Sequence, residues 1–352
     1  MDARGGESGT WLGTGLPTAA VVPGAPIFAA LDLGTNNCRL LVAQGIEESY
    51  RVIDAFSRIV RLGEGLSRND QLSGAAMART LAALRVCGAK MRRRGVTTVR
   101  AVATEACRRA SNCDEFLAIV WRETGIDVET ISSAEEGRLA LAGCAALLDP
   151  QVPLALVFDI GGGSTELMWL ETCDGQPRLL DQISIRQGVI GLAERHGGDR
   201  VSPAAYQAMI AEIADAIAAF TERNGITAAV RAEQVQVLGA SGTVTTLAGI
   251  HLRLARYDRS LVDGTYLTME AARGVIAWLL TQDFHGRAAH PCIGPDRADL
   301  VVAGCAVLEA IWQVVPAPTL RIADRGLREG ILAELIAETR AEAGPWSGES
   351  GR

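Results

Sequence analysis

The sequence predicts an α/β protein built from two similar halves flanking a cleft, and three observations carry that reading. A strand, a D-x-G loop and two further strands occur around Asp32 and return around Asp159. The module occurs only twice, which marks a duplication rather than a solenoid, and two such halves would turn their loops toward each other. The 352 residues, 48% hydrophobic and 21% charged, suffice for two domains of ordinary size with sizeable cores.

The first 26 residues are rich in Gly, Thr, Pro and Ala and lack a basic segment followed by an apolar one. They predict a disordered tail rather than a secretory signal. Ile27–Leu33 is a buried strand, followed after a tight turn by Cys38–Ala43, by a third strand at Tyr50–Val60 and by a Gly-rich loop at Leu62–Leu66. From Gly74 to Arg94 the apolar residues Met77, Leu81, Leu84 and Met91 recur at helical spacing, and Arg92-Arg93-Arg94 form a basic cap. Next come a strand at Val99–Ala103, short helices at Glu105–Ala110 and Asp114–Thr124, and a strand at Asp127–Ile131. Ser133–Leu148 is a helix with acidic residues in its first turn. The opening pattern then repeats as strand Leu154–Asp159, turn Gly161-Gly162-Gly163-Ser164, and strands Thr165–Leu170 and Leu179–Ile185. Helices near 189–196 and 203–224 precede strand Gln236–Leu238, whose loop Gly239–Thr243 opens another helix. Helices near 269–281 and 296–314, strand Thr319–Ile322 and a last helix over Leu327–Ala341 follow, and the final ten residues are expected to be disordered.

Composition narrows the chemistry. No apolar run approaches the roughly 18 residues of a membrane span. The single lysine, Lys90, is followed by Met91, so a G-x-x-x-x-G-K-[ST] loop is excluded. Four histidines, none in an H-D or H-E-x-x-H pattern, leave little room for a histidine metal site. Eight cysteines without a C-x-x-C pair are expected to be small reduced core residues. The net charge of -7 does not attract a polyanion, so a long anionic substrate would need a local basic strip, with Arg92–Arg94, Arg253, Arg256 and Arg259 as candidates.

The loop Asp32-Leu33-Gly34-Thr35-Asn36-Asn37 combines a glycine that permits close backbone approach with side-chain donors at Thr35 and Asn36. Together with free backbone N–H groups these make an anion-binding concavity, and Asp32 could hold a metal ion or orient water. The second loop, Asp159-Ile160-Gly161-Gly162-Gly163-Ser164-Thr165-Glu166, places three glycines between two buried strands. Each costs about 0.5–1 kcal/mol relative to Ala, more than a hairpin requires, and a chain of phosphates lying on bare backbone would explain them. Between the loops, Ser132-Ser133-Ala134-Glu135-Glu136 opens a helix. Glu135 suits a capping box, and Glu136, about 100° further round, is left to project into the cleft as a general base for water.

The ordered set D-L-G-T-N, A-T-E-A-C-R, S-A-E-E-G-R-L, D-I-G-G-G-S-T-E-L, G-A-S-G-T, I-G-P-D-R-A-D and A-D-R-G-L-R-E-G resembles the exopolyphosphatase / guanosine pentaphosphate phosphohydrolase family over about residues 27–340. The resemblance implies two ribonuclease H-like domains of the sugar kinase, chaperone and actin superfamily. It implies a division into 27–131 plus 327–342 and 132–326, with tails at 1–26 and 343–352. On it, Glu136 looks like the glutamate that activates the attacking water, and Glu166 like a second carboxylate that positions water or metal. Asp32 and Asp159 look like the aspartates near Mg²⁺. Gly161, Gly162, Gly163, Ser164 and Thr165 would contact phosphates, with Thr35, Asn36 and Arg108 on the opposite wall. Ser241 and Gly242 lie in the loop that the superfamily uses on its nucleotide side. The implied activity is Mg²⁺-dependent release of terminal orthophosphate from inorganic polyphosphate. Guanosine pentaphosphate is the rival substrate, and an actin-like nucleotide-dependent scaffold is the rival of another class. The resemblance further implies a cytoplasmic homodimer without nucleic acid polymer or membrane as partner.

Overall fold

A computed structural model describes residues 24–46, 49–172 and 177–343; most of both expected tails, and Cys173, lie outside them. Pro26, the last residue of the expected N-terminal tail, is tied to the sheet, its carbonyl accepting from Gly45 N–H at 3.1 Å.

The first sheet holds β1 (Ile27–Leu33), β2 (Asn37–Ile46), β3 (Ser49–Ile59), β4 (Thr98–Ala103) and β5 (Val128–Thr130), in the order β3-β2-β1-β4-β5. The second holds β6 (Leu154–Ile160), β7 (Thr165–Glu171), β8 (Arg178–Ile185), β9 (Val235–Gly239), β10 (Tyr266–Thr268) and β11 (Thr319–Ile322), in the order β10-β11-β9-β6-β7-β8. Read from β8, the second sheet repeats the first. Two antiparallel hairpin pairings come first, then two parallel neighbours, with β10 added antiparallel at the edge. The central strands β1 and β6 are apolar almost throughout, as strands covered on both faces must be, and each ends in a half-buried aspartate.

The helix Ser133–Cys144 is wedged between the sheets. Its Leu139 packs with Phe28, Ala30 and Val102 of the first sheet, and Leu141 and Cys144 pack with Val157, Met168 and Leu170 of the second. The last helix, Leu327–Ala343, returns to the first sheet through Ile331, Leu332, Leu335 and Ile336. The two helices cross at bare backbone: a Cβ on Gly330 would collide with the Leu139 carbonyl, and one on Gly143 with the Gly326 carbonyl.

Several boundaries differ from expectation. The helix expected over Ser133–Leu148 tightens into a 3-10 turn at Ala145–Leu147. The one expected from 296 begins at Val301, because Gly294, with φ of +72°, and Pro295 lead through turns first. Short helices at Ile226–Arg231, Arg259–Val262 and Phe284–Ala288, and strand β10, went unpredicted because three to six residues do not complete a hydrophobic period. The seven described cysteines are buried and free, as expected.

Three of the candidate strip arginines, Arg93, Arg94 and Arg259, are paired with carboxylates. Asp54 accepts from Lys90 at 2.7 Å, Arg94 at 2.9 Å and Arg93 at 3.2 Å, and Arg259 donates to Glu329 at 2.7 Å. Burial alone would raise the Asp54 carboxyl, but the hydrogen bonds from Lys90 and Arg94 outweigh it and bring it down to about 2. A lowered carboxyl stabilises the fold above its unfolded value near 4, and that contribution disappears as pH falls toward 2. Asp54→Asn should therefore cost on the order of 2 kcal/mol at pH 7. The deficit, read from denaturant midpoints, should shrink as pH drops below 4; a deficit independent of pH would contradict this.

Candidate active site

The two sheets present their Asp-ended loops with the same turn: Gly34 N–H donates to the Asn37 carbonyl, and Gly161 N–H to the Ser164 carbonyl, both at 2.9 Å. The loops meet tip to tip. A Cβ on Gly162 would stand 3.0 Å from Asn36 N and Cβ, and one on Gly163 would stand 2.6 Å from Thr35 Oγ1. These glycines thus seat the opposing loop, a reason for glycine that the sequence alone did not supply. Behind them Gly188 presses on the Gly162–Gly163 peptide, where a Cβ would lie 2.5 Å from three backbone atoms. The N–H groups of Val189 and Ile190 hold the carbonyls of Gly161 and Gly162 at 3.1 and 3.0 Å. The first loop is held by Val60 and Arg61, whose N–H groups donate to the Asn36 carbonyl at 2.8 and 3.0 Å. Arg61 also reaches across to the second half, donating to both oxygens of Asp299 at 2.8 Å.

Ser132 Oγ caps the wedged helix by accepting from Glu135 N–H at 3.1 Å. The carboxylate of Glu135 does not complete a capping box; it accepts from Arg138 and Arg100 at 2.8 and 2.9 Å, away from Glu136. Glu136 accepts from Arg108 Nη1 at 2.7 Å, and Arg108 is fixed in turn by Glu105 at 3.0 Å and the Ile131 carbonyl at 3.0 Å. Glu166, only 5% exposed, accepts from Ser184 Oγ at 2.8 Å.

The duplication explains the site's charge. Across the first hairpin Asp32 pairs with Arg39; at the same register in the second, Asp159 pairs with Glu166. One copy has an opposite-charge pair and the other a like-charge pair, which repels. Burial raises Asp159 to about 7, with Glu136 adding to the rise. Burial also raises Glu136, reinforced by Glu166, and raises Glu166, reinforced by Asp159. Asp32 is raised by burial against the pull of Arg39 and Arg328. Arg297 and Arg328 are lowered first by burial and further by Arg39, and Arg39 and Arg328 both act on Asp32.

Asp32, Asp159, Glu136, Glu166 and Arg108 thus converge, and the two loops bring Thr35 and Asn36 onto Gly162 and Gly163. Two candidates have other employment for their side chains. The Thr165 hydroxyl, fully buried, donates to the Gln187 carbonyl at 2.8 Å and braces the loop. Ser241 Oγ accepts from Thr243 and Val244 N–H at 3.2 Å and caps the helix Gly242–His251. Arg39, Arg297 and Arg328 escaped sequence reasoning. Aligning the two copies finds Arg39 seven residues after Asp32, where Glu166 stands seven after Asp159, while Arg297 and Arg328 sit inside motifs already singled out.

The donor set fits Mg²⁺. It is made of hard oxygens, and the buried Oδ1 atoms of Asn36 and Asn37 find no hydrogen-bond partner among the described residues. No group of three His, Cys, Asp or Glu side chains among the described residues is placed to cage a metal.

Fold and site together define a two-domain α/β protein of the actin-like class whose paired loops carry buried carboxylates. The Ppx/GppA phosphatase family model matches residues 41–339, and the chain belongs to that family. A curated relative, guanosine-5'-triphosphate,3'-diphosphate pyrophosphatase of Aeromonas hydrophila, is 29% identical over 321 residues, covering 89% of this chain. The chain spans 60% of that relative's length. Among solved structures, an exopolyphosphatase-like protein superposes with a TM-score of 0.81 at 26% identity, covering 90% of this chain and 99% of its own. An Aquifex aeolicus Ppx/GppA family member gives 0.72 at 26% identity, covering 89% and 98%. Among the described residues no helix is long and apolar enough to cross a membrane.

Proposed function

We propose that the protein is a phosphoanhydride hydrolase that releases terminal orthophosphate from inorganic polyphosphate. The observation that carries this is the convergence of two anion-sized loops on a desolvated pair, Glu136 and Glu166, with Arg108 bonded to Glu136 at 2.7 Å. The loop N–H groups of Gly161–Ser164 and the donors of Thr35 and Asn36 hold the terminal phosphoryl group. Arg39, Arg297 and Arg328 offset the charge of the phosphates behind it. Asp32 and Asp159 would hold Mg²⁺, which when bound supplies neutralisation of the phosphate oxygens. Glu136 takes a proton from water as the water oxygen bonds to the terminal phosphorus. The bridging P–O bond breaks, and its electron pair stays with the shortened chain. Arg108 fixes the Glu136 carboxylate, and Glu166 orients the water; positioning and electrostatics perform most of the catalysis in such reactions.

Guanosine pentaphosphate is the second reading, favoured by the name of the curated relative. The family resemblance also carries a cytoplasmic homodimer and a domain division into 27–131 with 327–342 and 132–326. Orthophosphate release measured side by side on long polyphosphate, guanosine pentaphosphate and ATP, with Mg²⁺ or with chelator, tests the assignment. Polyphosphate should turn over fastest and chelator should stop it. Release from ATP alone, or assembly on ATP into pelletable polymer without release, would reject the reading.

A further inference from the structure

A cavity of about 100 Å³ lies against Glu166, and no residue of 32–37 or 159–165 lines it. Its floor is Glu166, 5% exposed, with Met168 beside it and Gly137, the residue next to Glu136. Its rim is formed by the half-buried Ser133, Gln182 and Ile183. Ser184, which also lines it, is the donor to Glu166 at 2.8 Å. The volume has room for about three waters, each with an average share near 30 Å³. The wall is polar: the buried Oε1 of Gln182 finds no hydrogen-bond partner among the described residues, a group that needs a donor from inside the cavity. In the same structure Thr35 and Asn36 lie against Gly162 and Gly163, and Arg61 is bound to Asp299.

We propose that this cavity is a water port: the nucleophilic water reaches Glu136 and Glu166 from behind, past Gln182 and Ser184, while the phosphate chain fills the front. The proposal rests on the hydrolase reading. A substrate that occupies the cleft tip to tip would block the forward path of water, whereas the cavity is lined by Glu166 itself and by Gly137, the residue next to Glu136. Gly137 is what keeps the port open, since a Cβ there would stand 3.1 Å from Gln182 Oε1 and 3.4 Å from Met168 Sδ. Gln182 and Ser184 are positioning residues that hold water in file.

The test varies the width of the port and asks whether rate follows. Gly137→Ala should lower kcat for orthophosphate release about tenfold with KM within twofold. Adding Met168→Ala, which removes the apolar side chain that the new methyl would meet at 3.4 Å, should restore kcat to within threefold of wild type. A purely structural effect on the helix would not be rescued by a second truncation. Gln182→Met, which fills the port from the sheet side, is the parallel arm if Gly137→Ala fails to fold, and it too should lower kcat at constant KM. Full kcat in the filled variants, or no rescue by Met168→Ala, overturns the port. Wild-type protein that releases no phosphate from any phosphoanhydride overturns the hydrolase reading instead, so the two failures are distinct.

Discussion

Glu136→Gln should lower orthophosphate release by about 10²–10⁴-fold, the usual contribution of a positioned general base. That corresponds to about 3–5 kcal/mol of barrier at 1.36 kcal/mol per decade. Gln keeps the shape of Glu and can still accept from Arg108, so polyphosphate binding and melting temperature should stay near those of wild type. The neighbouring substitution is the control. Glu135 is tied to Arg100 and Arg138, both partly exposed. Glu135→Gln should cost about 1 kcal/mol of stability or less and leave turnover largely intact. If Glu135→Gln abolishes turnover and Glu136→Gln does not, the wrong member of the pair carries the assignment.

Gly188→Ala should be nearly as damaging, through geometry instead of chemistry. Its Cβ would stand 2.5 Å from the Gly162 carbonyl carbon and oxygen and from Gly163 N, all backbone, so the phosphate loop itself must move. Overpacking of that kind costs about 1–3 kcal/mol of stability. A displacement near 1 Å at a reacting centre costs about 10²-fold in rate. Steady-state kinetics beside thermal melts should show both losses together. Unchanged kcat at unchanged melting temperature would mean that this loop does not hold the reacting phosphate.

Much of this was legible in the sequence because the protein writes its plan twice. The apolar runs ending in Asp32 and Asp159, and the hairpins after them, announced both sheets and the residues at their centre. The sequence was less informative where a residue's role depends on what another segment brings to it. A chain of phosphates on bare backbone would explain the three glycines at 161–163, and the structure adds a second occupant by setting Gly162 and Gly163 against Asn36 and Thr35, more than a hundred residues away. Thr165 and Ser241 have the right chemistry for an anion, but a carbonyl at Gln187 and two helix N–H groups claim their hydroxyls. Arg93 and Arg94, candidates for a polyphosphate strip, share Asp54 of β3, a partner that their own segment does not reveal. Glu135 and Glu136 could be separated by helical angle alone, although the partner that withdraws Glu135 is an arginine on β4, not the expected cap.

The central claim is that water, activated at Glu136, attacks the terminal phosphorus of a phosphoanhydride. Hydrolysis of polyphosphate in ¹⁸O-enriched water, followed by mass spectrometry of both products after limited turnover, tests it most directly. The account predicts one ¹⁸O in each released orthophosphate and none in the shortened chain, with the rate of label incorporation falling in Glu136→Gln in step with phosphate release. Label in the shortened chain, unlabelled orthophosphate, or incorporation that is indifferent to Glu136→Gln would contradict it.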